Sequence, residues 1–256
     1  MKRTAVLFLL PTLWTACLTL ECTSVSGRLK QVDAGNGHVF GVCPKGEVFT
    51  LYGSSLIRIP GQLKHVSVGP AGVWGVNSTN HIHRLVKGDW VTAPGLMKQV
   101  DAGGKLFAAG LNMGGVVFCL GEEATTGFAG PGSPASWTQL PARLKYYSCG
   151  PYSCWGVNTA DEIFILKGVT PTACGGSLEF QPITGSLSMI EVSTDGRVYG
   201  VNSVGDIYQR EGILPCNPAG TGWRHVSYSE KVKHVSYDLG HLWLIGKDNR
   251  IMDCTE

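Results

Sequence analysis

The chain has 256 residues, of which 43% are hydrophobic and 16% are charged, and its formal net charge is +2. This composition can fill a core, but it excludes a coiled coil or a helical repeat, which would be rich in charged helix formers. The small net charge also argues against nucleic acid as the main partner. Glycine contributes 35 residues, about twice the usual share, which favours short strands joined by tight turns.

The first twenty residues have the layout of a secretory signal peptide. Met1-Lys2-Arg3 is a short basic start, and Ala5 to Leu20 is almost entirely apolar. No other long apolar run follows, so we expect residues 1–20 to be removed and residues 21–256 to form a single domain. A retained signal anchor is the alternative. The sequence therefore predicts a secreted, extracellular protein with no membrane span.

A seven-residue segment recurs six times along the remaining chain. Its clear copies, all with lysine in second place and all ending in glycine, are Leu29 to Gly35, Leu63 to Gly69, Met97 to Gly103 and Leu144 to Gly150. Its weaker copies are Leu187 to Ser193 and Val232 to Asp238. The copies start 34 to 47 residues apart and together account for nearly all of the mature chain.

Each copy continues with the same succession of short segments. An aromatic residue and a small residue come next, as in Phe40-Gly41-Val42 and Trp155-Gly156-Val157-Asn158. A β-rich segment such as Glu47 to Leu51 follows, and then a last segment with a tryptophan or a proline-glycine end, such as Ile57 to Gly61. These segments are rich in Val, Ile and aromatic residues and are bounded by Gly, Pro or Asn, which is typical of short strands.

Four strands in 34 to 47 residues match the size of a propeller blade. A lone four-stranded blade cannot cover both of its faces, whereas blades stacked around an axis cover each other. We therefore predict an all-β, six-bladed β-propeller with repeats that start near residues 29, 63, 97, 144, 187 and 232. A β-sandwich or a β-helix is the alternative, although neither needs this unit six times.

The two ends of the chain are expected to share the last blade. The sixth copy ends at Glu256 after its third strand, and Thr23 to Arg28 precedes the first copy just as Ile57 to Gln62 precedes the second. The N-terminal strand is therefore predicted to complete the sixth blade. Cys22 and Cys254 would then lie on neighbouring strands, within reach of a disulfide bond.

The cysteine count fits an oxidising compartment. Of nine cysteines, Cys17 lies in the predicted signal peptide, and the other eight can form four disulfides. The predicted pairs are Cys22–Cys254, Cys149–Cys154, Cys174–Cys216 and Cys43–Cys119. The second pair flanks one turn, the third joins corresponding long loops of adjacent copies, and the fourth remains by subtraction. Asn77-Ser78-Thr79 is the only N-glycosylation sequon, and it predicts a glycan on a surface turn.

The repeated Leu-Lys-Gln-Val-Asp-Ala-Gly and Trp-Gly-Val-Asn elements, with the divided last blade and the eight cysteines, closely resemble the tectonin-repeat family of the fish egg lectins over residues 21–256. That family is similar to a horseshoe-crab lectin that recognises lipopolysaccharide. The resemblance implies a tectonin-type propeller that binds glycans containing N-acetylglucosamine. It also implies binding to microbial surface polysaccharide, such as lipopolysaccharide and peptidoglycan, in innate defence. The two weaker copies depart from the motif, so ligand sites in those blades have the least support.

The sequence contains no nucleophile elbow, no zinc-protease motif and no phosphate-binding loop. Gly35 to Gly41 superficially resembles a dinucleotide loop, but its third glycine comes one residue late, so we predict a tight hairpin. His81 and His83 could hold a metal from one face of a strand, yet no third ligand is evident. Asp33 and Asp101 recur within the repeat, which favours structural hydrogen bonds. We expect neither an enzyme nor a metal or other cofactor, with calcium left open.

The candidate sugar-binding groups lie in polar turns after the second strand of a repeat. Asn158 with Asp161, and Asn202 with Asp206, offer amide and carboxylate groups that can hydrogen-bond to sugar hydroxyls. Asn77 occupies the equivalent place. The alternative is that these side chains only form their own hairpin turns. Several weak sites would gain avidity through multivalency.

The long loops at 122–136, 169–178 and 212–222 are a second candidate surface, unless they are only tied by disulfides or used in a dimer contact. Two classes of function remain open. The leading hypothesis is a secreted lectin, and the alternative is an extracellular propeller that binds another protein and has no affinity for sugar. Assembly into a homo-oligomer is left open as well.

Overall fold

The structure is a computed structural model that describes residues 20–255. Within that range, 24 strands form six antiparallel sheets of four strands each, and the single helix, α1, spans Glu122–Thr126. Apart from Leu20, the predicted signal peptide at residues 1–20 lies outside the described residues, and so does Cys17. Each sheet is one blade, and the blades follow one another along the chain.

The chain begins with β1 at Glu21–Val25. Blade I contains β2 to β5, at Gln31–Gly35, His38–Val42, Glu47–Tyr52 and Ser55–Gln62. Blade II contains β6 to β9, at His65–Gly69, Gly72–Val76, His81–Val86 and Asp89–Leu96. Blade III contains β10 to β13, at Gln99–Asp101, Ala108–Leu111, Val116–Leu120 and Thr138–Arg143.

Blade IV contains β14 to β17, at Tyr146–Cys149, Ser153–Val157, Ile163–Lys167 and Phe180–Ile183. Blade V contains β18 to β21, at Met189–Val192, Val198–Val201, Ile207–Glu211 and Gly222–Val226. Blade VI contains β22 to β24, at Val232–Asp238, His241–Gly246 and Ile251–Thr255, together with β1.

The first strands of the blades lie side by side around a common axis. Each of β2, β6, β10, β14, β18 and β22 contacts the next, and β22 returns to β2. The Asp33 carboxylate in blade I accepts the N–H of Val68 in blade II at 2.7 Å, and the Asp101 carboxylate in blade III accepts the N–H of Cys149 in blade IV at 3.0 Å. The inner strands therefore run in one direction, with equivalent residues at one level. The predicted six-bladed propeller is confirmed.

The N-terminal strand closes the ring, as the sequence predicts. Strand β1 pairs with β24 in an antiparallel register that places Cys22 opposite Cys254. These two cysteines form a disulfide bond. The first and last strands of the described chain are thus joined both by a β-ladder and by a covalent bond.

Two of the predicted disulfides are wrong. Cys149–Cys154 is present, but Cys174 bonds to Cys119 rather than to Cys216. Loop 169–178 of blade IV folds back onto blade III, where the N–H of Glu122 donates to the carbonyl of Pro171 at 3.0 Å. The long loops of blades IV and V therefore do not meet, and Cys119 is the cysteine that blade III offers to Cys174.

Cys43 and Cys216 remain as thiols in the described part of the chain, so the predicted Cys43–Cys119 pair is absent. Cys43 is buried at the end of β3, and its thiol contacts the Glu47 carboxylate at 3.6 Å. Cys216 is exposed in the turn of loop 212–222. Since one thiol lies inside blade I and the other on the surface of blade V, they do not pair with each other.

The glycine that ends the repeated segment is required by the close approach of inner strands. A Cβ on Gly69 would overlap the carbonyl group of Ala102 in the next blade, and one on Gly35 would overlap that of Val68. The glycine-rich hairpin at Gly35 to Gly41 joins β2 to β3 directly, with Asn36 and Gly37 at φ 54° and 77°. It is a tight turn, as predicted, and not a dinucleotide loop.

Three tryptophans, in or next to outer strands, each bind their own blade to the one before it. The indole N–H of Trp90 donates to the carbonyl of Pro60 at 2.8 Å, and that of Trp137 donates to Pro94 at 3.0 Å. Trp223 makes the same contact with Thr184 at 3.0 Å. The tryptophan of one blade therefore contacts the end of the outer strand of the preceding blade, which in blades I and II is the proline-glycine end of the repeat.

Candidate functional site

The predicted sugar-binding turn in blade IV is occupied by its own hydrogen bonds. The Asn158 side-chain oxygen accepts the N–H groups of Ala160 and Glu162 at 2.9 and 3.0 Å, and its amide nitrogen donates to the Glu162 carboxylate at 2.6 Å. The Asp161 carboxylate forms an ion pair with Lys145. Asn158 therefore closes the β15–β16 turn, which is the structural role considered as the alternative.

The equivalent turn in blade V has the same construction. The Asn202 side-chain oxygen accepts the N–H groups of Gly205 and Asp206 at 2.9 and 2.8 Å, and its amide nitrogen donates to the Asp206 carboxylate at 3.2 Å. Asp206 also forms an ion pair with Lys231. The structure does not bring the four predicted residues together, since they remain in two separate turns. Asn202 alone borders a pocket.

That pocket, which we call the IV–V pocket, lies where blades IV and V meet and has a volume of about 320 Å³. It is lined by Ile163, Gly185, Ser186, Leu187, Asn202, Tyr208 and Trp223. The indole–carbonyl bond to Thr184 holds the Trp223 ring at the seam, and a T-shaped contact with Trp155 supports it at a centroid distance of 6.0 Å. The pocket therefore has a fixed aromatic wall beside amide and hydroxyl groups.

The IV–V pocket contains polar side-chain groups that are not used in hydrogen bonds within the protein. Within residues 20–255, the Tyr208 hydroxyl and the Ser186 hydroxyl make no hydrogen bond, so both remain available to a ligand. The Arg210 guanidinium lies 5.1 Å from the centroid of the Trp223 ring and stabilises its position. An aromatic face flanked by unpaired hydroxyls is the arrangement that a sugar ring needs, because one side of a sugar is apolar and its rim is polar.

A second pocket of about 500 Å³ lies at the seam between blades VI and I. In its wall, the His241 ring stacks on Trp243 at 6.3 Å, and its Nδ1 lies 2.8 Å from the Asp253 carboxylate. The Asp238 carboxylate accepts the N–H of Gly37 at 2.8 Å. Leu239 stands at the rim, 75% exposed. This pocket also combines an aromatic residue with polar groups, although more of them are already paired.

A third pocket, with a volume of about 810 Å³, lies beside the 122–136 loop. It is lined by residues around helix α1, including Glu122, Glu123, Thr126 and Ser136, and by Thr172. No aromatic side chain lines it, so it lacks the flat apolar surface on which a sugar ring stacks. Loop 169–178 is tied to blade III by Cys174, which gives that loop a structural role.

Side chains of the inner strands form a buried polar ring around the axis, with a carboxylate in blades I, III and V and a serine in blades II, IV and VI. Its members are Asp33, Ser67, Asp101, Ser148, Glu191 and Ser236. The serines also accept backbone N–H groups of the next blade, as Ser67 does from Ala102 at 2.8 Å. Asp33 and Asp101 therefore have a structural role between blades.

Burial controls the protonation of the axial groups. It raises the pKa of Asp33 to about 6 and the pKa of Asp101 to about 8, and it raises the pKa of Glu191 well above its usual value. Burial lowers the pKa of His65 and that of His234 to about 3, so both rings are neutral. The Tyr146 hydroxyl donates to the Glu191 carboxylate at 2.5 Å.

The two histidines singled out by the sequence have ordinary local partners. Nδ1 of His81 lies 2.9 Å from the Thr79 hydroxyl, and Nδ1 of His83 lies 3.3 Å from the Thr92 hydroxyl. Between residues 20 and 255, no group of three His, Cys, Asp or Glu residues is placed to hold a metal ion.

The sequon residue Asn77 is half-buried at the equivalent turn of blade II. Its side-chain oxygen accepts the N–H groups of Thr79 and His81 at 3.0 and 2.9 Å. Unlike Asn158 and Asn202, its amide nitrogen donates to no residue in the described range. The nitrogen to which a glycan would attach is therefore not committed to a hydrogen bond within the turn.

Known proteins share both the sequence and the fold of this chain. A family model for the Tectonin domain matches residues 28–247. The chain belongs to the tectonin family. A curated fish-egg lectin from Cyprinus carpio is 57% identical to this tectonin protein over 236 residues, which are 92% of the chain and 98% of the relative. The resemblance seen in the repeats is thereby confirmed.

Solved structures with little sequence identity resemble this tectonin protein only in their fold. Human WBSCR16 is 12% identical with a TM-score of 0.57 and covers 90% of this chain and 72% of its own. The Cps50 (Swd1) β-propeller of Myceliophteria thermophila is 9% identical with a TM-score of 0.58. The match covers 92% of this chain and 100% of the Cps50 chain. No helix within residues 20–255 is long and apolar enough to cross a bilayer.

Proposed function

We propose that this protein is a secreted lectin that binds glycans containing N-acetylglucosamine and microbial surface polysaccharides, such as lipopolysaccharide and peptidoglycan, in innate defence. The observation that carries the proposal is the 57% identity to the carp fish-egg lectin across nearly all of both chains. That relationship and the propeller fold also favour a binding protein over an enzyme. The signal-peptide pattern and the three disulfides favour an extracellular location.

The IV–V pocket is the proposed sugar site. The apolar face of a sugar ring would stack on Trp223 or Tyr208, while the Tyr208 and Ser186 hydroxyls bond to the rim of the ring. Its volume of about 320 Å³ lies at the lower end of the usual range for small-ligand sites, roughly 300–1,000 Å³, and it suits one or two sugar units. The pocket at the seam between blades VI and I would bind a second sugar of the same chemical class, so that avidity offsets weak single sites.

Retention on immobilised N-acetylglucosamine, with release by the free sugar, tests the proposal. Tyr208→Ala should weaken retention about three- to tenfold, because Tyr208 lines the pocket and the substitution removes its aromatic ring. Phe49→Ala is the matched control, since Phe49 faces the glycine of the neighbouring strand in blade I just as Tyr208 does in blade V. Repeating the measurement with a chelator shows whether calcium contributes.

The outcomes separate the function from the site. Absence of retention by the unaltered protein, together with a blank glycan array and capture of a protein partner, would favour the protein-binding propeller instead. Saturable retention that Tyr208→Ala leaves unchanged would keep the lectin and move its site away from the IV–V pocket.

A further inference from the structure

The repeat places a lysine at the start of five of the six inner strands. These residues, which we call the lysine mouth, are Lys30, Lys64, Lys98, Lys145 and Lys233. Because the inner strands are parallel and in register around the axis, all five lysines lie at the same end of it. Blade V has Ser188 at this position, and its hydroxyl donates to the Val201 carbonyl at 2.9 Å.

Most of this positive charge has no carboxylate partner. Among residues 20–255, Lys145 is the only one of the five that forms a salt bridge with an acid, Asp161. Lys64 donates to the side-chain oxygen of Asn80, and Lys98 donates to the carbonyl of Leu144 at 3.3 Å. These acceptors are neutral, so they orient the ammonium groups without cancelling their charge.

The other two lysines are similarly uncompensated. Lys233 donates to the Asn249 side-chain oxygen at 2.5 Å, which is again a neutral acceptor. The nearby Asp248 carboxylate is held by Arg250, with 2.5 Å between Nε and the carboxylate oxygen. Among residues 20–255, the Lys30 ammonium makes no hydrogen bond at all. Four ammonium groups therefore gather at one end of the axis without an acid of their own.

The ammonium groups are close enough to influence one another. Burial lowers the pKa of Lys64, and the charges of Lys30 and Lys98 lower it further. Burial also lowers the pKa of Lys233, the nearby Asp248 carboxylate raises it in part, and the charge of Lys30 lowers it again. A cluster in which each charge disfavours the next is a site where an anion gains from several charges at once.

The carboxylates deeper along the axis do not neutralise the lysines fully. Burial holds the pKa of Asp101 at about 8 and raises that of Glu191 well above its usual value, which favours their neutral forms. Asp33, with a pKa of about 6, is the one axial acid that is largely ionised at pH 7, and its single charge is smaller than that of the lysines. The two axial histidines, His65 and His234, stay neutral as well, since burial lowers the pKa of each to about 3. The end of the axis where the lysines lie therefore keeps a net positive charge.

We propose that the lysine mouth binds a phosphate or sulfate group, either as the free ion or attached to a saccharide. Lysine is a common phosphate ligand that acts as a mobile point charge, and four such groups can surround one tetrahedral anion. The site is separate from the IV–V pocket and does not depend on binding of neutral sugars. It would let the propeller distinguish acidic glycans from neutral ones.

Calorimetric titration at low and at higher salt tests the proposal, with N-acetylglucosamine 6-phosphate, N-acetylglucosamine 6-sulfate, inorganic phosphate and neutral N-acetylglucosamine as probes. Lys30→Gln combined with Lys64→Gln should weaken binding of the charged probes by roughly tenfold or more and leave the neutral sugar unaffected. The control is Lys87→Gln combined with Lys105→Gln, which removes the same charge from exposed sites elsewhere. The charge-keeping pair Lys30→Arg and Lys64→Arg should retain binding.

Tighter binding of the sugar esters than of inorganic phosphate would identify acidic glycans as the source of the anion, and equal binding would identify the free ion. Should the double glutamine variant fail to fold, Lys30→Gln alone serves, because this ammonium makes no hydrogen bond. The proposal would be overturned if the lysine-mouth variant and the control variant lost the same affinity for the charged probes. It would also be overturned if the lysine-mouth variant bound these probes as tightly as the unaltered protein. Failure of the unaltered protein to bind the neutral sugar would count against the proposed lectin function and its IV–V pocket, and not against the lysine mouth.

Discussion

At the scale of single residues, the axial carboxylates link the stability of the propeller to pH. Burial raises the pKa of Asp101 to about 8, whereas an unfolded aspartate titrates near about 4. Between these pH values the folded protein keeps a proton that the unfolded chain has lost. The free energy of unfolding should therefore decrease as pH rises from about 4 to about 8.

Asp101→Asn should flatten this dependence. The amide cannot ionise, yet its oxygen can still accept the N–H of Cys149. At pH 8 we expect the variant to be more stable than the unaltered protein by a few kcal/mol, at about 1.4 kcal/mol per unit of pKa. Urea denaturation between pH 5 and pH 8 measures it, with the exposed Asp89→Asn as the control. Parallel curves for Asp101→Asn and the unaltered protein would show that Asp101 is ionised in the fold.

The glycine that ends the repeated segment makes a second residue-scale prediction. Gly69→Ala should destabilise the protein by about 1–3 kcal/mol, because the new methyl group overlaps the Ala102 carbonyl and pushes two blades apart. Gly222→Ala is the control, since no atom lies within 4 Å of a Cβ built there. Thermal unfolding compares the two. A similar melting temperature for both variants would mean that the inner strands can separate without cost.

At the scale of elements, the Cys119–Cys174 disulfide fastens a loop of blade IV to blade III. It spans 55 residues, whereas Cys149–Cys154 spans 5. In the chain-entropy model these bonds stabilise by about 4 and about 2 kcal/mol. Replacing both cysteines of the longer bridge by alanine should therefore cost more than doing so for the shorter one, as chemical denaturation measures. The reverse order would contradict the entropic account of these bonds.

Sequence alone predicted the strands well but not the contacts made by the long loops. The alternation of Val, Ile and aromatic residues with glycine turns is local, so it indicates each strand directly. The direction of loop 169–178 depends on the blade against which it packs, and the repeat pattern does not indicate which blade that is. For the same reason Cys174 was assigned to the following blade although it bonds to the preceding one.

The candidate site shows a similar division. Asn158 and Asn202 were selected for their chemistry, but a side chain that closes its own turn has little left to offer a ligand. The IV–V pocket takes Gly185 and Ile163 from one blade and Tyr208 and Trp223 from the next. Such a pocket follows from the stacking of blades, and a search within a single repeat does not find it. The tryptophan of the repeat was the one signal that pointed to the seam.

At the scale of the whole molecule, the repeat spacing determines the architecture, because six blades need a closed ring to cover their faces. The Cys22–Cys254 bond spans 232 residues, and the chain-entropy model gives it about 5 kcal/mol. Replacing both cysteines by alanine should lower the unfolding free energy by a comparable amount. Calorimetry of the variant and of the unaltered protein measures the difference. A change below about 1 kcal/mol would mean that the β1–β24 ladder holds the ring without the bond.

The divided sixth blade also sets an order of events during synthesis. Strand β1 leaves the ribosome first, but the three strands that it joins are made last. Until then it has no partner, and its backbone groups can pair with any other free edge. A growing chain would therefore carry an unmatched strand through the whole of translation, and chaperones that shield such edges should matter more for this fold than for a propeller whose blades are each continuous.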